Sequence, residues 1–560
     1  MHKNPFKTNS YILFLAGFSC AAQAQIAPDA GSILREQTQP RLEIPTRPAP
    51  EIKFNEPVRP ALKPNAARFV LKSFRTSGNS AFAQGELLVL LQDYVGKEIG
   101  YADLDAAAAR ISRYYRDRGY MVARAYLPAQ DIVDGNVEIA VLEGRYGKAD
   151  LNNRSRVRDS VARGYIDGFP GAAVYTPKLE RKVLLLSDLA GVDEARAALR
   201  PGAAVGESDI TFELTPAPLV TGNVELDNHG NRYTGANRLS GQLNLLSPLG
   251  LGDQFSARLT KGFDGLEYGR LNYLLPLGGD GFKLGGAYSA TRYKLGGAFA
   301  PLNASGDSDT YTLSVSYPFI RSRSFNLYGQ IAYDWRDFED RIASTATVID
   351  KKTRAANFTL SGDARDGFAG GGVSVYSLTY ASGHVDIQSP VQLAIDSATA
   401  RSNGNFDKWN LNLIRLQSLT QNTSLFLSFA GQKAGKNLDS SEKFILGGAQ
   451  GVRAYPAGEG VGDSGYIATA ELRYSFTSSL LPGILQPFAF VDAGAVTISE
   501  NPFAAGVNRR HLAGGGVGLL WAKANDFQVK LTVATRIGAQ PVVSDANHHT
   551  RGWVQLIKYF

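Results

Sequence analysis

Cysteine is almost absent: Cys20 is the only one in 560 residues. It sits in an N-terminal stretch with the marks of a secretory signal. Lys3 and Lys7 supply positive charge, the run 11–18 is apolar, and Ala22-Gln23-Ala24 reads as a cleavage site. Phe18 and Ser19, just before Cys20, make a poor lipidation signal. Cleavage after Ala24 leaves a mature chain that starts at Gln25 and holds no cysteine, which excludes disulfides and thiolate chemistry and is compatible with an oxidising envelope. After the signal there is also no apolar run of about 18 residues, so helical membrane spans are excluded. The histidines are few and scattered (His2, His229, His384, His511, His548 and His549), with no H-E-x-x-H pattern to hold zinc. No P-loop and no G-x-S-x-G is present, and Gly514-Gly515-Gly516 sits in strand context, not at the strand-to-helix turn that cradles phosphate. These absences argue for no enzyme, no cofactor and no metal. Two of the +7 formal charges are Lys3 and Lys7; the modest remainder suits solubility and anionic envelope surfaces, not nucleic acid.

What the chain has in quantity is period-two alternation. From about Leu219 onward, short alternating segments recur between Gly, Asp, Asn and Pro turns. Tyr466, Ala468, Ala470, Leu472, Tyr474 and Phe476 share one parity, and the mostly polar Ile467, Thr469, Glu471, Arg473 and Ser475 share the other. Successive strand side chains point to opposite faces, so such a strand has one lipid-compatible face and one wet face. Repeated along the chain, the pattern predicts a closed transmembrane barrel. At about 20 residues per strand with its turn, 218–560 predicts roughly 16 antiparallel strands. Ser247 to Gly250 and Pro276 to Asp280 read as short periplasmic turns, and the polar stretch Ile342 to Ala356 as a long outer loop.

Ahead of the barrel the expected order is a signal (1–24), an N-terminal helical segment (25–39), a Pro-rich linker (40–66) and two small α/β modules (67–145 and 146–217). Within 25–39 the helix is expected at Gly31 to Thr38, with Ser32 as N-cap and Ile33, Leu34 and Arg35 following. In the first module Phe69 to Phe74 reads as a strand. Leu104 to Arg118 reads as a helix with Leu104, Ala108, Ile111 and Tyr115 on one face. The fold class is therefore mainly β, with two α/β modules and a helix in front.

One long connection stands out, between the strands near Leu425 and Tyr466. It carries Gly451-Val452-Arg453-Ala454-Tyr455. Arg453 is a planar donor that seeks a carboxylate. In Phe488-Ala489-Phe490-Val491-Asp492, Ala489 and Val491 suit lipid, which turns Phe490 and Asp492 toward the lumen. A loop folded into the lumen brings Arg453 to Asp492; a loop left in water does not.

Val452-Arg453-Ala454-Tyr455 resembles the Val-Arg-Gly-Tyr motif of the POTRA-carrying outer-membrane superfamily, with Ala454 in place of the usual glycine. Phe490-Val491-Asp492 resembles its partner motif on the facing strand. Tyr114 to Tyr120, Leu127 to Asp131, Asp134-Gly135 and Glu143-Gly144-Arg145 resemble the POTRA domain of two-partner secretion transporters, the hemolysin secretion/activation group. That resemblance implies a barrel preceded by two periplasmic POTRA domains and a plug helix carrying Ile33, Leu34 and Arg35. It also implies an outer-membrane translocator for a large, unfolded, secreted exoprotein. Further expected partners are outer-membrane lipids and the barrel-assembly machinery, which would read the terminal Phe560; the transporter itself is expected to be a monomer. An assembly factor that inserts other barrels is the alternative built from the same parts. A passive porin fits neither the POTRA-like modules nor the Arg453 loop.

Overall fold

The computed structural model describes residues 27–38, 44, 52–54 and 68–560. The signal segment, Cys20 and the linker prolines lie outside the described residues.

Two α/β modules precede a barrel. In the first, Ser73–Ser77 runs parallel to Asn136–Leu142, which pairs on its other side with Arg124–Tyr126. Helix Tyr101–Asp117 covers this sheet and buries Leu104, Ala108, Ile111 and Tyr115, the face its periodicity marks out. The expected strand Phe69 to Phe74 is broken in two. Arg68–Val70 pairs with Glu98–Gly100, while Phe74 belongs to the main sheet. The second module packs helices Asp159–Ile166 and Thr176–Ser187 on a sheet ordered Ile52–Phe54, Val192–Pro201, Glu207–Pro216, Arg145–Asn153. One of its strands is thus borrowed: Ile52–Phe54, from the segment ahead of both modules, adds in parallel to the edge strand Val192–Pro201.

The chain then closes into an antiparallel barrel of sixteen strands, the last (Thr550–Tyr559) pairing with the first (Val220–Asp227). One strand is interrupted at Ser475, between Ser464–Tyr474 and Phe476–Thr477. Parity decides the faces. Tyr466, Leu472, Tyr474 and Val491 are exposed on the outside, whereas Ile467, Glu471, Phe488, Phe490 and Asp492 are buried within. Among the described residues no helix is long and apolar enough to cross a membrane; the crossing is made by strands.

The outer loop expected at Ile342 to Ala356 is mostly strand. Phe325–Ile342 and Thr347–Asp366 run 18 and 20 residues, where a membrane crossing needs only about 9–11. They extend past the lipid, and there outward positions such as Lys352 and Arg354 meet water, so polar residues occupy both faces.

The second module is fastened to the periplasmic end of the barrel. Arg321 donates bidentately to Asp188 (2.8 and 2.9 Å), and Lys182 donates to Asp280 at 2.8 Å. At the barrel seam, Phe560 and Gly222 exchange backbone hydrogen bonds of 3.1 and 3.0 Å. A side chain on Gly222 would meet the Phe560 ring at 2.6 Å, so that glycine makes room for it. Deleting Phe560 removes both the exposed terminal ring and the last pairing of the seam. Reduced outer-membrane insertion is expected, read as loss of the heat-modifiable form on gels; undiminished insertion would rule out a role for this residue.

Candidate functional site

The connection 435–463 joins the strands Thr423–Ala434 and Ser464–Tyr474 on the outer side and folds back inside the barrel. Gly451 permits its tight turn, because a Cβ there would lie 2.2 Å from the Leu446 carbonyl oxygen. Val452, Ala454 and Tyr455 are fully buried, and Arg453 is only 5% exposed.

Arg453 is held on every side. Its Nε and one terminal nitrogen donate to the two oxygens of Asp492 at 2.8 and 2.7 Å, a fork-to-carboxylate pair, and its backbone N–H donates to the same carboxylate at 3.1 Å. Its other terminal nitrogen donates to Glu471 at 2.5 Å. The guanidinium lies 3.4 Å above the centre of the Phe490 ring, a cation–π stack. Trp553 donates its indole N–H to the Arg453 carbonyl at 2.7 Å. Thr469 donates to Asp492, and Arg473 to Glu471, so neither acid relies on Arg453 alone. The fold brings Arg453, Phe490 and Asp492 together at one point of the lumen wall. Tyr455 donates to the Gln540 carbonyl at 3.1 Å.

Ala454 fits because of a distant glycine. A Cβ on Gly514 would lie 2.4 Å from the Ala454 methyl. The wall is hollowed where the loop carries its extra carbon. Gly514→Ala is therefore expected to unseat the loop and cut export sharply. Ala454→Gly in the same chain should restore it, measured as secreted exoprotein per inserted barrel.

Helix Ala30–Thr38 also lies in the lumen. Its Ile33 and Leu34 are buried against inward-facing Tyr233, Tyr268, Tyr293 and Phe338. The cap is Asp29, not Ser32: Asp29 accepts from the Ser32 N–H at 2.9 Å, and Ser32 Oγ accepts from the Asp29 N–H at 2.9 Å. The helix begins at Ala30, so Asp29 flanks it as the cap and Ser32 stands three residues on, where its hydroxyl reaches back to the cap in a reciprocal pair. Asp29 also pairs with Lys351 (3.1 Å) and accepts from Ser440 (2.6 Å), while the Ala30 N–H donates to Asp340 at 2.8 Å. Arg35 donates to the Lys443 carbonyl at 3.2 Å. Gly31 allows the close approach, since a Cβ there would meet Ser440 Oγ at 2.5 Å. Ser440 and Lys443 belong to the same 435–463 connection as Arg453. That connection is itself anchored here by Lys408 to Glu442 (2.7 Å), Arg336 to Glu442, and Lys351 to Asp439 (2.9 Å). One loop thus holds both the wall and the helix.

Burial pushes the Asp29 carboxyl up, but the Lys351 charge and the Ser440 and Ser32 hydrogen bonds bring it down to about 2, so it stays ionised at working pH. Glu36 behaves oppositely. It is half-buried, and loss of water raises its carboxyl to about 7 against the Asn231 hydrogen bond and the Arg238 charge. A carboxyl raised on docking favours the docked helix when protonated. Docking is strongest below the ordinary value of 4.5 and weakens as pH climbs through about 7. Channel openings in planar bilayers are expected to become more frequent from about pH 5 to about pH 8. Glu36→Gln should flatten that profile; an unchanged profile would remove Glu36 from helix docking.

Sequence reasoning missed Glu471, Trp553 and Gly514 around Arg453, and Asp29, Gly31, Lys351 and Ser440 around the helix. Glu471 had a usable signal: it shares the inward parity of Ile467 and Thr469. The contacts of Gly514, Lys351 and Ser440 join segments far apart in the chain and leave no local trace.

The sequence and the architecture agree on an assignment. Residues 206–520 match the haemolysin secretion/activation protein ShlB/FhaC/HecB family, and residues 69–144 match the ShlB-type POTRA domain. The chain belongs to the ShlB/FhaC/HecB family. It is 28% identical over 547 residues to the heme/hemopexin transporter protein HuxB of Haemophilus influenzae, covering 95% of each chain. It is 24% identical over 437 residues to the outer membrane transporter CdiB of Dickeya dadantii, covering 76% of each. Its fold is similar to that of CdiB from Escherichia coli (TM-score 0.73, 21% identity, 90% of this chain and 93% of that one), and less so to that of BamA from Haemophilus ducreyi (TM-score 0.50, 14% identity). This member of the ShlB/FhaC/HecB family is an outer-membrane two-partner secretion transporter, with its POTRA modules on the periplasmic side.

Proposed function

We propose that the POTRA modules capture an unfolded exoprotein and that the barrel passes it outward as an extended chain once helix Ala30–Thr38 has left the lumen. The Arg453 contacts hold the 435–463 loop against the wall during passage. The observation that carries this reading is the shared loop: residues that grip the helix (Ser440, Lys443) and the residue that grips the wall (Arg453) lie on one connection. Capture by strand addition is supported by Ile52–Phe54, an extended segment already added to the edge of the second module's sheet. Such pairing draws affinity from main-chain hydrogen bonds and tolerates varied side chains.

The test is co-expression with a candidate exoprotein, first of all any large secreted protein found encoded beside the transporter. That protein should reach the medium only when the transporter is present. Without the transporter it should stay in the periplasm while other outer-membrane barrels remain at normal levels. A general fall in those barrels would point to an assembly factor instead.

A further inference from the structure

Where the second module meets the first periplasmic turn of the barrel there is a cavity of about 680 Å³. Three arginines line it, Arg154, Arg156 and Arg158, together with Leu219, Leu249 and the backbone of the turn. The arginine side chains are exposed, and among the described residues none has an ion-pair or hydrogen-bond partner. Their positions are nevertheless fixed through the main chain. The N–H of Arg158 donates to the Gly250 carbonyl at 2.8 Å, that of Arg156 to Gly191 at 3.3 Å, and that of Arg154 to Leu214 at 3.0 Å. The Arg158 stem passes so close over Gly250 that a Cβ there would meet its Cγ at 3.0 Å.

The acids nearby are already engaged. Asp253 is buried and accepts from the Leu249 and Leu251 N–H groups and from the Tyr273 hydroxyl at 2.8 Å. Asp159 accepts from Asn153 at 2.8 Å. Neither is paired with the arginines. Leu249 is 54% and Leu219 is 38% exposed at the same rim. Three unpaired guanidinium groups beside two bare leucines, at the level where barrel strands emerge from lipid, match one kind of molecule: an anionic head on an apolar tail. Arginine forks suit phosphate oxygens, and basic groups at a membrane surface draw anionic lipid.

We propose that this cavity binds the phosphate headgroup of an anionic phospholipid from the periplasmic leaflet, with its acyl chains against Leu219 and Leu249. The bound lipid bridges the second POTRA module to the barrel rim.

The test uses the full mature chain, stripped of lipid in detergent and titrated with phosphatidylglycerol or with phosphatidylcholine of the same acyl chains, read by native mass spectrometry. Phosphatidylglycerol should bind preferentially. The triple variant Arg154→Gln, Arg156→Gln, Arg158→Gln should bind it roughly a hundredfold more weakly, and Arg163→Gln, on the adjacent helix, should not. Should the triple variant fail to give a heat-modifiable barrel, the three single variants serve instead, each expected to lose about fivefold. A photo-crosslinking residue at position 249 in the otherwise unaltered chain should label phosphatidylglycerol. Equal binding of the two lipids, unchanged binding by the arginine variants, or no crosslink would overturn the proposal. Displacement of the lipid by inorganic phosphate at equal concentration would show a free-anion site and overturn it as well.

Discussion

Arg453→Ala is expected to abolish export while the barrel still inserts. The side chain holds two buried acids, Asp492 and Glu471, and stacks on Phe490. A buried ion pair adds little net stability over an apolar substitute, but removing one partner strands the other charge at a cost of about 3–5 kcal/mol. Here that charge is Asp492, left with the Thr469 hydroxyl and the residue-453 N–H, whereas Glu471 keeps Arg473. Glu471 and Asp492 sit on ladder-paired strands and Arg453 on a connection, so the cost falls on the attachment of the loop: roughly a hundredfold or more in the ratio of seated to unseated loop. The wall strands keep their hydrogen-bond ladder, so insertion survives. Arg453→Lys keeps the charge but not the fork or the planar stack, and should recover only part of the secretion. Exoprotein in the medium, normalised to heat-modifiable barrel, measures both. Normal export by Arg453→Ala would show that the latch has no part in transport.

Deleting residues 30–38 is expected to have the second large effect, a severalfold rise in single-channel conductance. The helix is two and a half turns long and too short to be stable alone. It is helical because the lumen accepts Ile33 and Leu34, because Asp340 accepts from the Ala30 N–H, and because Lys351 and Ser440 hold the Asp29 cap in place. Removing it opens the space it fills and leaves the backbone hydrogen-bond ladder of the barrel intact. Lys351→Met, which removes the countercharge of Asp29, should move conductance in the same direction by less. An unaltered conductance after the deletion would mean that current bypasses the helix.

The barrel was legible because period-two parity survives wherever one face meets lipid. Ala489 and Val491 against Phe490 and Asp492 is such a case, and it also aimed Asp492 inward before any contact was known. The cost of a charge facing lipid gave only the direction of Asp492; its contact with Arg453 depended on whether the loop folds into the lumen, which parity does not decide. Glu471 was not singled out, because lumen-facing polar residues look alike in sequence. Register made the difference: Glu471 stands opposite Phe490, and Thr469 opposite Asp492. Ile342 to Ala356 was misread as a loop because strands that rise beyond the bilayer lose the apolar face that marks them. The alanine in place of a glycine at 454 was a local puzzle with a remote answer, the missing side chain of Gly514.

The strand Ile52–Phe54 sets a limit on how far the helix can travel. Residues 39–51 separate the two, and at about 3.5 Å per residue their full reach is about 45 Å. While that strand stays paired, an expelled helix remains on a leash, at high local concentration beside the pore it vacated. Re-closure after each passage is then a first-order event, independent of how many transporters the membrane holds.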